Sequence, residues 1–229
     1  MLVYAHRGSS GTDPENTLRA FERAIADGAD GVEFDVQATA DGVPVVIHDR
    51  SLTRTTNGRG LVSELTLEQV QAFDAGAGQS VPTLVEVLDL VACRLPLDIE
   101  IKQPGIEQLV LDTLARYPGA KWAIGSFKWE ILREIRARAP GAELWPIADL
   151  PTEEVFANAR DLEATAISLR GDAVTPEIAK RFFSEDLDLV VWTVNRVEDA
   201  RLARYLGASA VCTDVPGEII RGLATEETS

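Results

Sequence analysis

The chain has 229 residues, 45% of them hydrophobic, which is enough to bury one sizeable core in a barrel or a doubly wound sheet. Its net charge is −15 and its pI near 4.5, which argues against nucleic acid as a partner, because that partnership relies on Lys and Arg meeting phosphates. No apolar run approaches the ~20 residues of a membrane span. The start "MLVYAHRG" has neither a basic segment nor a signal-type apolar stretch, so a cytoplasmic protein without stable membrane association is expected. Cys93 and Cys212 lie in apolar stretches ("LVACRL", "SAVCTD") and are expected to be buried free thiols.

Taken in order, short β-branched runs alternate with capped amphipathic runs. A strand at 2–6 precedes a helix at about 16–27, in which Leu18, Phe21 and Ile25 share a face and Gly28 is the stop. A second strand at about 30–37 leads into "TADGVPVVIHD", whose Asp-Gly signals a hairpin turn. Residues 50–65 read as a loop. Thr66 with Gln69, and Thr83 with Glu86, have capping-box spacing, so helices begin there. Strands follow at about 95–102, 121–127, 142–148, 165–170, 186–195 and 208–214. Each is trailed by a helix, with Thr152 and Thr175 as caps, Asn195 with Glu198 as another start, and Pro216 opening the last.

This makes eight βα units with one insertion, which predicts an α/β (β/α)8 TIM barrel in one domain over 1–229. The insertion is placed at about 37–65, and the tail at about 224–229 is expected to be flexible. A doubly wound sheet is the alternative, but no glycine-rich dinucleotide fingerprint follows the first strand.

Side chains alternate along a strand, so Glu33 and Asp35 share a face opposite Val32, Phe34 and Val36. Glu100 and Lys102 repeat the device opposite Ile99 and Ile101. In a barrel these charged faces point inward. Three inward carboxylates repel strongly unless compensated, and one Lys cannot balance them. A hard divalent cation such as Mg²⁺ or Ca²⁺ can, which makes Glu33, Asp35 and Glu100 metal-ligand candidates. The competing reading is that they are solvated, or paired with Arg7 and Lys102. The chain's two histidines, His6 and His48, end the first strand and the hairpin. Both fall at the rim where barrel enzymes react, as expected of an acid–base pair.

With these residues in view, the sequence resembles the glycerophosphodiester phosphodiesterase family. The matching stretches are "HRG" with "PENT", "VEFDVQATADGVPVVIHD", "LTRTTNGRG", "VPTLVEVL", "LDIEIK", "SF", "WTVN" and "TDVP", in family order along nearly the whole chain. The resemblance implies a TIM barrel that hydrolyses a small-molecule glycerophosphodiester to sn-glycerol 3-phosphate and an alcohol, in glycerol and lipid metabolism. It implies metal ligation (Mg²⁺, Ca²⁺ or Mn²⁺) by Glu33, Asp35 and Glu100, and acid–base roles for His6 and His48. It implies phosphate contact by Arg7 and Lys102, and a substrate wall at Trp192. Phe127 is a further lining candidate. Glu15 and Asn16 are read mainly as the start of the first helix. One rival is a barrel acting on lysophospholipids, for which the polar loop "TRTTNGRG" offers no apolar ramp. The other is a barrel that binds phosphate metabolites without reacting.

Overall fold

A computed structural model of the chain describes residues 1–225. The first strand, β1 (Leu2–His6), pairs in parallel with β2 (Gly31–Ala38) on one side and with the last strand, β9 (Ala210–Thr213), on the other. Between them run β4 (Leu97–Ile101), β5 (Trp122–Ser126), β6 (Glu143–Ala148), β7 (Ala166–Arg170) and β8 (Asp188–Trp192), every neighbour parallel. The β1–β2 pairing closes the sheet into an eight-stranded barrel. The outer ring is α1 (Leu18–Ala26), α3 (Leu84–Val91), α4 (Glu107–Leu114), α5 (Trp129–Arg138), α6 (Glu153–Asp161), α7 (Pro176–Ser184), α8 (Val197–Tyr205) and α9 (Pro216–Ala224). No helix is long and apolar enough to cross a membrane, among the described residues.

The alternation read from sequence decides what lies on each side of the wall. Val32, Phe34, Val36, Ile99 and Ile101 pack outward against Phe21 of α1 and Val87 of α3. Glu33, Asp98 and Glu100 face the barrel interior, where Tyr4, Val190, Ala210 and Cys212 fill the lower part. The register sets Glu33 beside Asp98 and Asp35 beside Glu100. The carboxylates of two neighbouring strands therefore stand in adjacent rows.

Beyond Glu33 the β1 edge of β2 is free, and β3 (Pro44–Val46) takes it as an antiparallel arm. The excursion that β3 begins continues through a short helix, α2 (Leu67–Gln71). It has a small core of its own, formed by Val45, Ile47, Leu52, Val62, Val70, Ala75 and Val81. This packed unit extends well past residue 65. Both capping boxes form as the spacing predicts, at Thr66 and Thr83.

Two further sequence expectations are corrected, and a third lies mostly outside the described residues. Cys93 is exposed, because Leu88, Val91 and Ala92 complete the buried face of α3 and the chain turns outward after them. Arg196, not Asn195, stands at the cap of α8, for a reason that lies in the site. Of the expected flexible tail, Ala224 ends α9 and Thr225 caps it; residues 226–229 lie outside the described part.

Candidate active site

The C-terminal ends of the strands surround a cavity of about 210 Å³ lined by His6, Arg7, Glu33, His48, Glu100 and Lys102, with Asp98 and Cys212 deeper and Phe127 and Trp192 on one wall. One oxygen each of Glu33, Asp35 and Glu100 lie within 4.8 Å of one another. All three residues are buried. Asp35 Oδ1 is enclosed and has no hydrogen-bond partner, although Lys102 Nζ stands 3.1 Å away.

The competing sequence reading also has substance, since Arg7 and Lys102 are both paired into the cluster. Lys102 Nζ is 2.6 Å from Glu100 Oε1, and Arg7 Nε is 3.1 Å from Asp35 Oδ2 without the angle for a hydrogen bond. Two cations do not satisfy three buried acids. Burial pushes the Glu33 carboxyl up to about 8, reinforced by the charge of Asp35. Burial likewise pushes Glu100 up to about 7, against the pull of Lys102. Asp35 is held below its ordinary value: burial opposes ionisation, but Lys102 and Arg7 outweigh it.

Each histidine has a carboxylate behind it. His6 Nδ1 is 2.7 Å from Asp214 Oδ1, and His48 Nδ1 is 2.6 Å from Asp49 Oδ1. Asp214 is held at about 2, where hydrogen bonds from His6, Asn195 and Ser10 overcome the cost of burial. An ionised carboxylate only accepts, so Nδ1 carries the proton and Nε2 is left to face the cavity. His6 Nε2 lies 3.9 Å from Glu33 Oε2. For His6, burial lowers the pKa, but the Asp214 bond and the Glu33 charge raise it above its ordinary value overall. His48 is lowered, chiefly by burial.

Local chain geometry explains the aim of these groups. Arg7 and Asn16 both adopt positive φ, 56° and 57°, uncommon for residues with side chains. The Arg7 N–H donates to the Glu33 carbonyl (2.8 Å), and Arg7 O accepts from the Asn16 N–H (2.9 Å). Gly8 follows because a Cβ there would stand 2.6 Å from the Ala20 carbonyl carbon. Asn16 is not the helix cap; Thr17 is, and the Asn16 amide donates to Asp35 Oδ2 at 2.9 Å. Asn195 is diverted from capping in the same way, donating to Asp214 Oδ2 at 2.6 Å.

The structure thus brings all eight sequence candidates into or against one cavity. Trp192 forms its wall edge-on to Phe127, ring centroids 5.6 Å apart. Sequence reasoning missed Asp214 and Asp49 behind the histidines and Asp98 deeper in the cavity, and read Asn16 mainly as a helix start rather than as a partner of Asp35. Asp98 had a signal: it precedes Glu100 by two and shares its inward face. Its carboxyl is pushed up to about 8 by burial, and its Oδ1 has no partner.

Fold and site together define a (β/α)8 barrel with buried acids, two histidine–carboxylate pairs and two cations gathered at one rim. Residues 6–218 match the model of the glycerophosphoryl diester phosphodiesterase family, and the chain belongs to that family of hydrolases. It is 37% identical over 233 residues, 96% of each chain, to a glycerophosphodiester phosphodiesterase of Caldanaerobacter subterraneus. It is 31% identical over 236 residues, again 96% of each, to one of Bacillus altitudinis. The structure of an Oleispira antarctica phosphodiesterase in complex with the product sn-glycerol-3-phosphate superposes with a TM-score of 0.94 at 26% identity, covering 98% of this chain and 97% of that one.

Proposed function

We propose that this protein hydrolyses glycerophosphodiesters to sn-glycerol 3-phosphate and an alcohol, with a divalent cation held by Glu33, Asp35 and Glu100. The observation that carries the reading is the buried carboxylate triad with its orphaned Asp35 oxygen, set between two histidine–aspartate pairs. The all-oxygen donor set suits Mg²⁺, Ca²⁺ or Mn²⁺. When bound, such an ion supplies Lewis-acid stabilisation of the charge that builds on the phosphoryl oxygens.

The charge balance supports a phosphodiester ligand. Arg7 and Lys102 offset two of the three acidic charges; a dication turns the remaining deficit into one positive charge, which a singly charged diester neutralises. Arg7 and Lys102 hold the phosphate oxygens, and binding there releases part of their hold on the acids. His48, whose pKa is lowered, accepts the proton of the attacking oxygen at Nε2. His6, whose pKa is raised, protonates the leaving alcohol from its own Nε2. The wall of Trp192 and Phe127 covers the glycerol or headgroup side.

A metal-by-substrate screen on chelator-treated protein tests the reading. Activity should return with a divalent cation on glycerophosphocholine, release sn-glycerol 3-phosphate, and fall about 10²–10⁴-fold in His6→Ala or His48→Ala. Turnover of lysophospholipid in its place would move the substrate class. Tight binding of sn-glycerol 3-phosphate without turnover of any diester would reduce the protein to a binder.

A further inference from the structure

Arg54 lies in the insertion and does not line the cavity. We infer that it is a positioning residue for the proposed reaction: one guanidinium clamps the carboxylates behind His48 and Arg7, and so fixes both groups in a single frame. The inference rests on the function proposed above.

The geometry is a double fork. Arg54 Nε and Nη2 donate to Asp49 Oδ2 and Oδ1 at 2.7 and 2.9 Å. Nη1 and Nη2 donate to Glu15 Oε2 and Oε1 at 2.7 and 2.8 Å. Asp49 Oδ1 is the same atom that receives His48 Nδ1, and Glu15 Oε1 the same atom that receives Arg7 Nη1 at 2.9 Å. A continuous chain therefore runs from His48 through Asp49, Arg54 and Glu15 to Arg7. Four of the five guanidinium N–H groups are used, in two planar pairings that a lysine ammonium cannot copy.

As a surface ion pair this would contribute little, since the Arg54 side chain is 46% exposed. Its weight lies in what the carboxylates touch. Without the clamp Asp49 can rotate, and the His48 ring loses the fixed acceptor that aims Nε2. Glu15 can likewise drift, taking Arg7 with it. The clamp is itself held from below: Leu52, two residues earlier, is fully buried in the insertion's core, and the Thr56 hydroxyl donates to the Leu52 carbonyl at 2.8 Å. The insertion is thus a brace for two reacting groups, whatever else it covers.

The test compares Arg54→Met, Arg54→Lys, Asp49→Asn, Glu15→Gln and the double variants with the wild type, on glycerophosphocholine at saturating divalent cation. Arg54→Met should lower kcat about 10–100-fold, the scale seen when a group that orients a ligating side chain is removed, and should also raise KM. Asp49→Asn should reproduce only the kcat loss and Glu15→Gln only the KM rise. Adding either to Arg54→Met should cost little more in the shared parameter. Arg54→Lys keeps the charge and should keep the melting temperature but not the wild-type kcat; it carries the test if Arg54→Met does not fold. The His48 Nδ1 proton, hydrogen-bonded to Asp49, should give a downfield NMR signal that Arg54→Met removes. Wild-type kinetics in Arg54→Met, full recovery in Arg54→Lys, or fully additive double variants would overturn the clamp. A wild type inert on every diester would instead overturn the function, while the NMR signal still reads the clamp.

Discussion

Asp35 Oδ1 is enclosed, close to a lysine, and bonded to nothing, while the neighbouring Glu33 and Glu100 are raised to about 8 and 7. A cation at the triad must therefore displace protons, and its affinity should rise with pH across that range, by up to about tenfold per unit for each proton displaced. The metal-free fold should do the reverse. A carboxyl raised in the folded state contributes stability that is full below its unfolded value and is lost as pH rises through its folded one. His6, also raised, acts in the same direction; lowered His48 opposes it, and lowered Asp35 acts only in acid. Chelated protein should thus melt lower at pH 8.5 than at 5.5, and added Mg²⁺ or Ca²⁺ should raise the melting temperature more at 8.5. Equal increments at both pH values would remove Glu33 and Glu100 from the ligand set, and wild-type affinity by calorimetry in all three of Glu33→Gln, Asp35→Asn and Glu100→Gln would remove the whole triad. Trp192 stands on the wall, so Trp192→Ala should raise KM more than it lowers kcat. A large loss of melting temperature with unchanged kinetics would place it in the core instead. That Glu33, Asp35, Glu100 and Lys102 gather on one inward face was legible because alternation along a strand is local. Asp214 was not: its bond to His6 spans 208 positions, and only folding brings the two together.

Helices and strands were legible where the signal is carried by a few adjacent residues. At Thr83 the hydroxyl accepts from the Glu86 N–H at 3.1 Å, and the Glu86 carboxylate accepts from the Thr83 N–H at 2.8 Å, as the spacing predicts. Breaking this box in Thr83→Ala should cost about 0.5–2 kcal/mol, a fall of roughly 2–4 °C per kcal/mol in a chain of this size. Since α3 faces away from the cavity, kcat and KM should not change; differential scanning calorimetry beside steady-state kinetics checks both halves. Asn195 shows where such local reading fails. Its spacing to Glu198 is that of a capping box, but its amide is taken by Asp214 at the end of a different strand: Nδ2 donates to Asp214 Oδ2 at 2.6 Å and Oδ1 accepts from the Asp214 N–H at 2.9 Å. The same competition took Asn16 from the start of α1. In both cases a polar residue beside a helix was claimed by the site, and tertiary context outweighed propensity. The insertion's extent was illegible for a related reason. Its later residues, Val70, Ala75 and Val81, join one buried cluster with Val45, Ile47, Leu52 and Val62, a packing that no local spacing announces.

For the molecule as a whole, the count of eight units argued for closure, and the β1–β2 pairing makes it. What composition could not reveal is how a chain of net charge −15 receives an anion. The answer lies in separation by distance. In the proposed function, Arg7 and Lys102 act on the phosphate within hydrogen-bond reach at the cavity they line, where solvent and salt screen little. The excess acidity is spread over the surface and is felt only at range. Screening lengths are about 30 Å at 10 mM ionic strength and about 8 Å at 150 mM. Added salt should therefore remove the distant repulsion while leaving the near attraction largely intact. With the divalent cation held at saturation, kcat/KM for glycerophosphoglycerol, a net anion, should rise between these two ionic strengths. Glycerophosphocholine, whose ammonium cancels its phosphate, should respond little and serves as the internal control. A fall in kcat/KM for the anion alone would mean that the positive field of the cation, Arg7 and Lys102 extends beyond the cavity mouth and governs encounter. An equal change for both substrates would place the salt effect on the protein rather than on the approach of charge.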